Sequence, residues 1–183
     1  MSPDRFPGWP HWLPIAAQRP RMSPDWWPWV ASRDSLTARL RIASPRPFSV
    51  RLLAQGVTRP RLDEAQALGL PHRTHVWHRE VLLRLGDASW VAARSVAPLE
   101  GLSGARLCTL GERSLGSWLF RQPNLERGPI EAIRAPAMTG LGAWRGDAGP
   151  WGRRSLLRVG RTRILVQEFF LAAMAADLSL PSR

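Results

Sequence analysis

Two charged residues lie in apolar segments whose alternation is typical of β-strands, and both could do chemistry there. In residues 76–83, successive side chains of a strand would point to opposite faces, which places Arg79 on an apolar face. In residues 164–170, the same alternation places Glu168 on an apolar face. Removing a charge from water is costly unless a partner offsets the cost. The two residues therefore either pair with other protein groups, such as each other across neighbouring strands, or face a buried cavity that binds a small polar ligand.

Further arginines are candidates for binding an anion. Arg94 falls on a largely apolar face of the strand predicted for residues 90–97. Residues 151–155, with the sequence WGRRS, have two interpretations that the sequence leaves open. They form either a surface turn with two solvated arginines, or a turn that faces an anion and positions the strand carrying Glu168.

The residue types that bind metals or act as nucleophiles show no productive arrangement. His72, His75 and His78 recur at every third position, but residues three apart in a strand point to opposite faces and do not converge on a zinc ion. Cys108 has no catalytic base near it in the sequence and is expected to be a buried side chain. The chain also lacks a glycine-rich phosphate loop and a Gly-x-Ser-x-Gly elbow. We therefore expect neither a metal nor a cofactor.

Length and composition favour one cytoplasmic domain. The 183 residues include a single cysteine, which excludes an internal disulfide and suits a reducing compartment. The N-terminus has no apolar signal core. The apolar stretch 164–176 is too short to cross a bilayer and is interrupted by Glu168, so we expect no membrane partner.

The net charge of +12 is of the kind that nucleic-acid-binding proteins carry. The chain has no lysine, so its basic residues are arginines. They are dispersed along the chain rather than clustered in one stripe. A solvated basic surface is the simpler interpretation. We expect no nucleic-acid partner, and we expect a monomer.

The predicted elements give an α+β fold with a single antiparallel sheet of five or six strands and helices inserted between hairpins. Ser23, Ser35 and Ser114 are candidate N-caps of helices, Gly56 is expected to end the first strand, and a helical turn is predicted near Glu64. The strands are predicted at 49–55, 75–85, 90–97, 129–133, 155–159 and 164–171. In terms of domains, we expect a Pro- and Trp-rich arm at 1–22, the folded domain at 23–175 and a tail at 176–183.

Several short segments match the motifs of one enzyme family, in the same order along the chain. Each segment alone is weak evidence, but the set is specific. The segments are DSLT at 34–37, WHREVLL at 77–83, RSVAP at 94–98, LSG at 102–104, LGSWLF at 115–120, IE at 130–131, WGRRS at 151–155 and EFFL at 168–171. In these segments the chain resembles the bacterial chorismate pyruvate-lyases. That family converts chorismate to 4-hydroxybenzoate and pyruvate, the first committed step of ubiquinone biosynthesis. Residues 135–146 have no counterpart in the family pattern and are expected to be an inserted loop.

The resemblance implies a role for each candidate. Arg79 would bind the ring carboxylate, and Glu168 would contact the hydroxyl at the far end of the ring. Backbone N–H groups at Leu36 and Leu115, each at the start of a lid helix, would assist, which suits the free donors at a helix N-terminus. Arg94 matches a further arginine near the enolpyruvyl group. Of these, Arg79, Arg94 and Glu168 are the catalytic candidates.

The implied fold closes helical flaps over an internal ligand, and the implied reaction needs no cofactor or metal. One route is a cyclic retro-ene transfer of a ring hydrogen to the enolpyruvyl methylene, for which the enzyme orients the substrate and excludes water. In the other route Glu168 acts as a general base. The resemblance leaves this choice open. An alternative to the enzyme is a non-catalytic domain of the same fold that senses a small aromatic or carboxylated ligand, as in some transcription regulators.

Overall fold

An antiparallel sheet forms the centre of the fold. The computed structural model describes residues 11–71, 73–100, 102, 107, 109–134, 140–141 and 144–181. The strands are β1 (Leu13–Pro14), β2 (Phe48–Thr58), β3 (Val76–Leu85), β4 (Ala88–Pro98), β5 (Leu125–Arg127), β6 (Glu131–Arg134), β7 (Gly140–Leu141), β8 (Trp144–Arg145), β9 (Ala148–Val159) and β10 (Thr162–Leu171). The helices are α1 (Ile15–Gln18), α2 (Trp27–Val30), α3 (Leu36–Ala43), α4 (Leu62–Leu68), α5 (Leu115–Leu119) and α6 (Ala172–Asp177), with a 3₁₀ helix at Arg19–Arg21.

Within the described residues, eight strands join the sheet. Its order is β1-β6-β9-β10-β4-β3-β2, and β5 also pairs with β9, next to the part of β9 that pairs with β6. The separate pair is β7 and β8. The predicted α+β class and single antiparallel sheet are confirmed, but the predicted count of five or six strands is too low. The added strands β1 and β5 have two and three residues, too few for an alternating pattern to show in the sequence.

Two strands extend beyond their predicted bounds. The strand β2 continues to Thr58, so Gly56 does not end it and instead pairs with His78 in the ladder with β3. The strand β9 begins at Ala148, so the WGRRS segment lies inside the sheet and not in a turn. A Cβ atom at Gly152 would come within 2.7 Å of the Phe169 ring, so the glycine allows β9 and β10 to approach at this point.

Serine caps begin the two helices that matter for the site, as predicted. The Ser35 hydroxyl accepts a hydrogen bond from the Ala38 N–H at the start of α3, at 3.4 Å. The Ser114 hydroxyl accepts one from the Ser117 N–H at the start of α5, at 3.2 Å. These caps fix where each helix starts and therefore where its first backbone N–H groups lie.

Successive residues of the central strands point to opposite faces of the sheet. The face that carries Arg79 and Glu168, here called the pocket face, is covered by α2, α3, α5 and α6. The opposite face, here called the far face, is covered by α4 and by Trp12 of the N-terminal arm. Trp12 packs edge-on against Phe169 with 5.8 Å between ring centroids, and its Nε1 donates to Asp63 at 3.0 Å.

The end of the described chain packs on the domain. The Trp26 indole donates to the Pro181 carbonyl at 2.7 Å, and the Trp90 indole donates to the Asp177 carboxylate at 2.7 Å. Arg46 forms an ion pair with the same Asp177 carboxylate. Residues 176–181, expected as a tail, therefore contribute contacts to the domain.

Some predicted features lie outside the described residues. These include His72, Cys108, residues 1–10 of the arm and most of the expected inserted loop, of which only β7 and β8 are described. No described helix has the length and apolar character that crossing a membrane requires.

Candidate active site

A small pocket lies between the pocket face of the sheet and the helices α3 and α5. All four residues predicted to bind substrate line it: Arg79 on β3, Glu168 on β10, Leu36 at the start of α3 and Leu115 at the start of α5. The cavity volume is about 50 Å³. A cavity of about 150 Å³ is what admits benzene, so this pocket, here called the closed pocket, is closed to an aromatic acid, and its walls must move before one can bind.

Arg79 is a buried cation at one end of the pocket. Its side chain is 1% exposed, and burial lowers the pKa of its guanidinium group. One Nη donates to the Gln55 side-chain oxygen at 3.1 Å and the other to the Arg113 carbonyl at 3.0 Å. Its buried Nε has no hydrogen-bond partner, and no carboxylate forms an ion pair with it, within the described part of the chain. A buried cation without a counter-ion is suited to a ligand carboxylate.

Glu168 lies two strands away from Arg79 and pairs with a different arginine. Positions 153 and 168 face each other in the antiparallel ladder of β9 and β10, and Arg153 Nε donates to Glu168 Oε2 at 2.6 Å. Because β4 lies between β3 and β10, Arg79 is not on a strand next to Glu168 and does not pair with it. The interpretation of Arg79 and Glu168 as an ion pair with each other is therefore wrong.

Arg153 is fixed by hydrogen bonds to two backbone carbonyls in addition to its ion pair with Glu168. Its side chain is 1% exposed, and its Nη1 donates to the carbonyls of Trp29 and Ser32 at 2.8 and 2.9 Å. The interpretation of WGRRS as a solvated turn is wrong, because both arginines are buried among hydrogen-bond acceptors. The alternative interpretation, that this segment positions the strand carrying Glu168, agrees with the Arg153–Glu168 ion pair, but the segment is part of a strand and not a turn.

The structure corrects the expectation that Arg94 contacts the substrate. Its neighbours Ala93 and Ser95 both line the pocket, so the side chain of Arg94 points to the far face. There it donates to Glu64 at 2.6 and 3.1 Å and to Glu80 at 2.5 Å. Burial acts to lower the pKa of Arg94, but the two carboxylates outweigh burial and raise it.

The far face carries a network of buried charges built around Glu64 on α4. Gln167 donates to Glu64 at 2.7 Å, beside the bonds from Arg94. Burial alone would raise the pKa of Glu64, but the hydrogen bonds and charge of Arg94 lower it overall. In the same layer, Arg154 pairs with Glu131 at 2.7 Å and with Asp63 at 3.2 Å. These charges satisfy one another and hold α4 and β6 to the sheet.

The two lid helices, α3 and α5, touch through hydroxyl groups. The Thr37 Oγ1 and Ser114 Oγ atoms are 2.8 Å apart, and both residues line the pocket. Leu36 and Leu115 are the first residues of their helices, where backbone N–H groups have no partner within the helix. The sequence identified both helix starts but not the contact that joins them.

Sequence reasoning missed another arginine at the pocket. Arg127, the last residue of β5, lines the pocket together with Glu168, and its guanidinium lies 5.5 Å from the Phe120 ring centre. Burial lowers the pKa of this arginine, while the charge of Glu168 raises it. Its Nε is buried and has no hydrogen-bond partner among the described residues. A strand of three residues gives no alternation from which its direction could have been predicted.

Outside the lids lies an open groove that is rich in arginine. It has a volume of about 760 Å³ and shares Val50 and Ser114 with the closed pocket. Arg41, Arg113 and Arg121 line it. Positive charge at the mouth of a site raises the local concentration of anions, so this groove favours an anionic ligand.

The polar side chains of the pocket suit a ligand with a ring that carries polar groups at opposite ends. Arg79 supplies a cation at one end and Glu168 supplies a hydrogen-bond acceptor at the other. Apolar side chains of Val81, Ala93 and Val166 line the pocket beside them. The site can therefore hold a planar or nearly planar ring away from water, with a carboxylate toward Arg79 and a hydroxyl toward Glu168.

Known proteins of similar sequence come from one enzyme family. The family model described as chorismate lyase matches residues 11–177. The chain is 98% identical over 183 residues, the full length of both proteins, to a "Probable chorismate pyruvate-lyase" of Chromohalobacter salexigens. It is 44% identical over 166 residues to a protein of the same name from Pseudomonas aeruginosa, covering 89% of this chain and 92% of the relative.

A solved structure of lower similarity shows the same fold. The effector domain of PhnF from Mycobacterium smegmatis matches with a TM-score of 0.54 at 15% sequence identity, over 77% of this chain and 90% of that one. At this identity the likeness extends to the fold alone. The family model, and relatives that align over nearly their whole length, carry the assignment: the chain belongs to the chorismate lyase family.

Proposed function

We propose that this protein is a chorismate pyruvate-lyase, which converts chorismate to 4-hydroxybenzoate and pyruvate. The observation that carries the proposal is the closed pocket in which Arg79, Glu168, Leu36 and Leu115 come together. Arg79 binds the ring carboxylate, and Glu168 accepts a hydrogen bond from the ring hydroxyl. The backbone N–H groups at the starts of α3 and α5 add donors for the anion.

The reaction breaks the ether bond between the ring and the enolpyruvyl group and removes the hydrogen from the carbon that carries the hydroxyl. In the retro-ene route, that hydrogen moves to the enolpyruvyl methylene, the ether oxygen becomes the ketone of pyruvate, and the ring becomes aromatic. In the base route, Glu168 takes the hydrogen as a proton and pyruvate leaves as its enolate, which is then protonated. In both routes the chain orients the substrate and excludes water.

We favour the retro-ene route, because Glu168 is already engaged by Arg153 at 2.6 Å. Glu168→Gln tests the choice. An amide oxygen still accepts a hydrogen bond from the ring hydroxyl but cannot act as a base, and a general base contributes about 10²–10⁴-fold. The retro-ene route predicts a loss in kcat of less than about tenfold. A loss in the range of a removed base, with 4-hydroxybenzoate still bound normally, would instead support the base route.

The proposed activity is tested by incubating the purified protein with chorismate in the presence of EDTA and measuring both products by chromatography. We expect equal amounts of 4-hydroxybenzoate and pyruvate, with no effect of the chelator. Arg84→Gln is the matched control for changes at Arg79 and is expected to keep the activity. Arg84 lies on the same strand as Arg79, near the hairpin tip, and pairs with Asp87. Binding of chorismate without turnover would contradict the proposal and favour the ligand-sensing alternative.

The setting of the reaction follows from the family assignment. We propose that the 4-hydroxybenzoate enters ubiquinone biosynthesis in the cytoplasm, and that the protein acts as a monomer. Light scattering of the purified protein checks this state.

A further inference from the structure

The proposed substrate carries two carboxylates, and Arg79 accounts for only one of them. The second belongs to the enolpyruvyl group, which is attached to the ring carbon next to the hydroxyl-bearing carbon. A bound substrate therefore places its second carboxylate at the Glu168 end of the pocket, far from Arg79. The arginine expected near this group from the sequence, Arg94, lies on the far face and cannot reach it.

Arg127 is the arginine that lines the pocket near Glu168, among the described residues. The charges of the two residues interact. Its strand β5 pairs with β9 so that Arg127 is opposite Leu157, another residue of the pocket wall. The buried Nε of Arg127 has no hydrogen-bond partner in the described part of the chain, so the guanidinium retains a free donor.

The charges of the pocket support a ligand with two negative groups. Among the described residues, Arg79 and Arg127 are the arginines that line the pocket, and Glu168 is the carboxylate that lines it. Arg153 pairs directly with Glu168 at 2.6 Å, and neither Arg79 nor Arg127 forms a direct ion pair within the described part of the chain. Cations shielded from water gain from anionic partners, and a dicarboxylate supplies one for the buried Arg79 and one for the half-buried Arg127.

We propose that Arg127 binds the enolpyruvyl carboxylate of chorismate, and the carboxylate of pyruvate once the ether bond has broken. This inference rests on the proposed function. With the two carboxylates held by Arg79 and Arg127, the ring and the enolpyruvyl group are fixed at both ends, which brings the methylene carbon over the ring hydrogen that it receives. Arg127 therefore selects substrate over product, because 4-hydroxybenzoate lacks the second carboxylate.

The first experiment compares Arg127→Gln with the wild-type protein in two measurements. We expect kcat/KM for chorismate to fall by about 30-fold or more, the usual effect of removing one partner of a buried charge pair. We expect the inhibition constant of 4-hydroxybenzoate to change by less than about threefold. A general distortion of the pocket would instead weaken the binding of 4-hydroxybenzoate as well. Arg158→Gln is the matched control, because Arg158 is exposed on β9, opposite Glu126 and next to Arg127.

The second experiment needs no variant and decides the matter if Arg127→Gln does not fold. It compares two inhibitors of the wild-type protein: 3-(carboxymethoxy)-4-hydroxybenzoate, and 3-(carbamoylmethoxy)-4-hydroxybenzoate, which keeps the ring carboxylate but has an uncharged amide in the side group. They differ only in the charge placed at the position of the enolpyruvyl carboxylate. We expect the acid to bind at least about tenfold more tightly than the amide, since a charge-assisted hydrogen bond exceeds a neutral one.

The outcomes separate this inference from the proposed function. If the wild-type protein does not convert chorismate, the proposed function fails and this inference fails with it. If the wild-type protein converts chorismate but Arg127→Gln behaves like Arg158→Gln, only the role of Arg127 is overturned. A parallel loss of chorismate turnover and 4-hydroxybenzoate binding, or equal binding of the two inhibitors, would also overturn it.

Discussion

Arg153 and Glu168 occupy facing positions of β9 and β10, with 2.6 Å between Arg153 Nε and Glu168 Oε2. Arg153 also donates to the carbonyls of Trp29 and Ser32, in and just after α2. The ion pair therefore joins the strand that carries Glu168 to the segment leading into the lid helix α3. A displacement at one of these elements is transmitted to the carboxylate through a single buried side chain.

Arg153→Gln is expected to lower both activity and stability. Breaking a buried ion pair by removing one partner costs about 3–5 kcal/mol, and Glu168 loses the group that orients it. We expect kcat/KM for chorismate to fall by at least about 50-fold at a temperature where the variant is folded. Initial rates and urea unfolding measure the two effects.

Arg154→Gln is the control for this prediction. Arg154 is the next residue of the same strand and is also buried in ion pairs, but it points to the far face. We expect it to lose stability comparably while kcat/KM of the folded protein stays within about threefold of wild type. Equal losses of activity in both variants would show that Arg153 acts only through stability.

Arg79→Gln is expected to abolish useful activity in a folded protein. Arg79 is the cation assigned to the ring carboxylate, and truncating one partner of a buried charge pair costs about 2–5 kcal/mol of binding, or at least about 30-fold. In contrast to the Arg127 variant, this one should lose chorismate and 4-hydroxybenzoate together. Steady-state rates and product inhibition measure both. Normal inhibition by 4-hydroxybenzoate would remove Arg79 from the carboxylate site.

Glu64 makes stability depend on acid pH. Its pKa in the folded protein is lowered, despite burial, by the bonds from Arg94, so the ionised carboxylate stabilises the fold above its ordinary pKa of 4.5. That contribution is lost as the pH falls from 4.5 through the lower folded value. We expect the free energy of unfolding of wild type to fall over this range, and Glu64→Gln to be less stable at pH 7 but to lose less on acidification.

The matched control for Glu64 is Glu126→Gln, since Glu126 is exposed on β5. We expect it to follow the wild-type pH dependence in urea titrations between about pH 3 and 7. If Glu64→Gln keeps the full wild-type slope, the acid sensitivity belongs to other carboxylates.

Thr37→Val is expected to speed release of the product. The valine has nearly the same shape as threonine but cannot bond Ser114, and a hydrogen bond of this kind contributes about 1 kcal/mol, or roughly fivefold in an equilibrium. The closed pocket must open before 4-hydroxybenzoate leaves, so we expect release to limit the wild-type steady state and to follow a burst of product. Rapid mixing should show the burst shrink and kcat rise in the variant. A linear wild-type time course would mean that chemistry, not release, is slow.

Each of the four pocket residues has a local signal in the sequence, although the roles of Leu36 and Leu115 were proposed only from the family resemblance. Arg79 and Glu168 interrupt the alternation of long strands, and the helices that start at Leu36 and Leu115 follow serine caps. Their assembly in one pocket required the family resemblance, since nothing in local spacing says that β3 and β10 lie two strands apart.

The residues that sequence reasoning misplaced are those whose partners are distant in the chain. Arg94 has the same local pattern as Arg79, a charge on an apolar strand face, but the face it occupies is covered by α4, where Glu64, 30 residues away, binds it. Arg127 lies on a strand too short to show a pattern, and its position depends on pairing with β9. Alternation identifies which residues share a face but not what covers that face.

The two faces of the sheet divide neighbouring residues between different tasks. Arg79, Arg153 and Glu168 serve the pocket, while the residues beside them, Glu80, Arg154 and Gln167, belong to the buried charges of the far face. Inserting or deleting one residue within a central strand would exchange these sets, sending the far-face charges into the pocket and the pocket charges against α4. We therefore expect the central strands to tolerate substitutions but not changes of length, which belong in the connections between them.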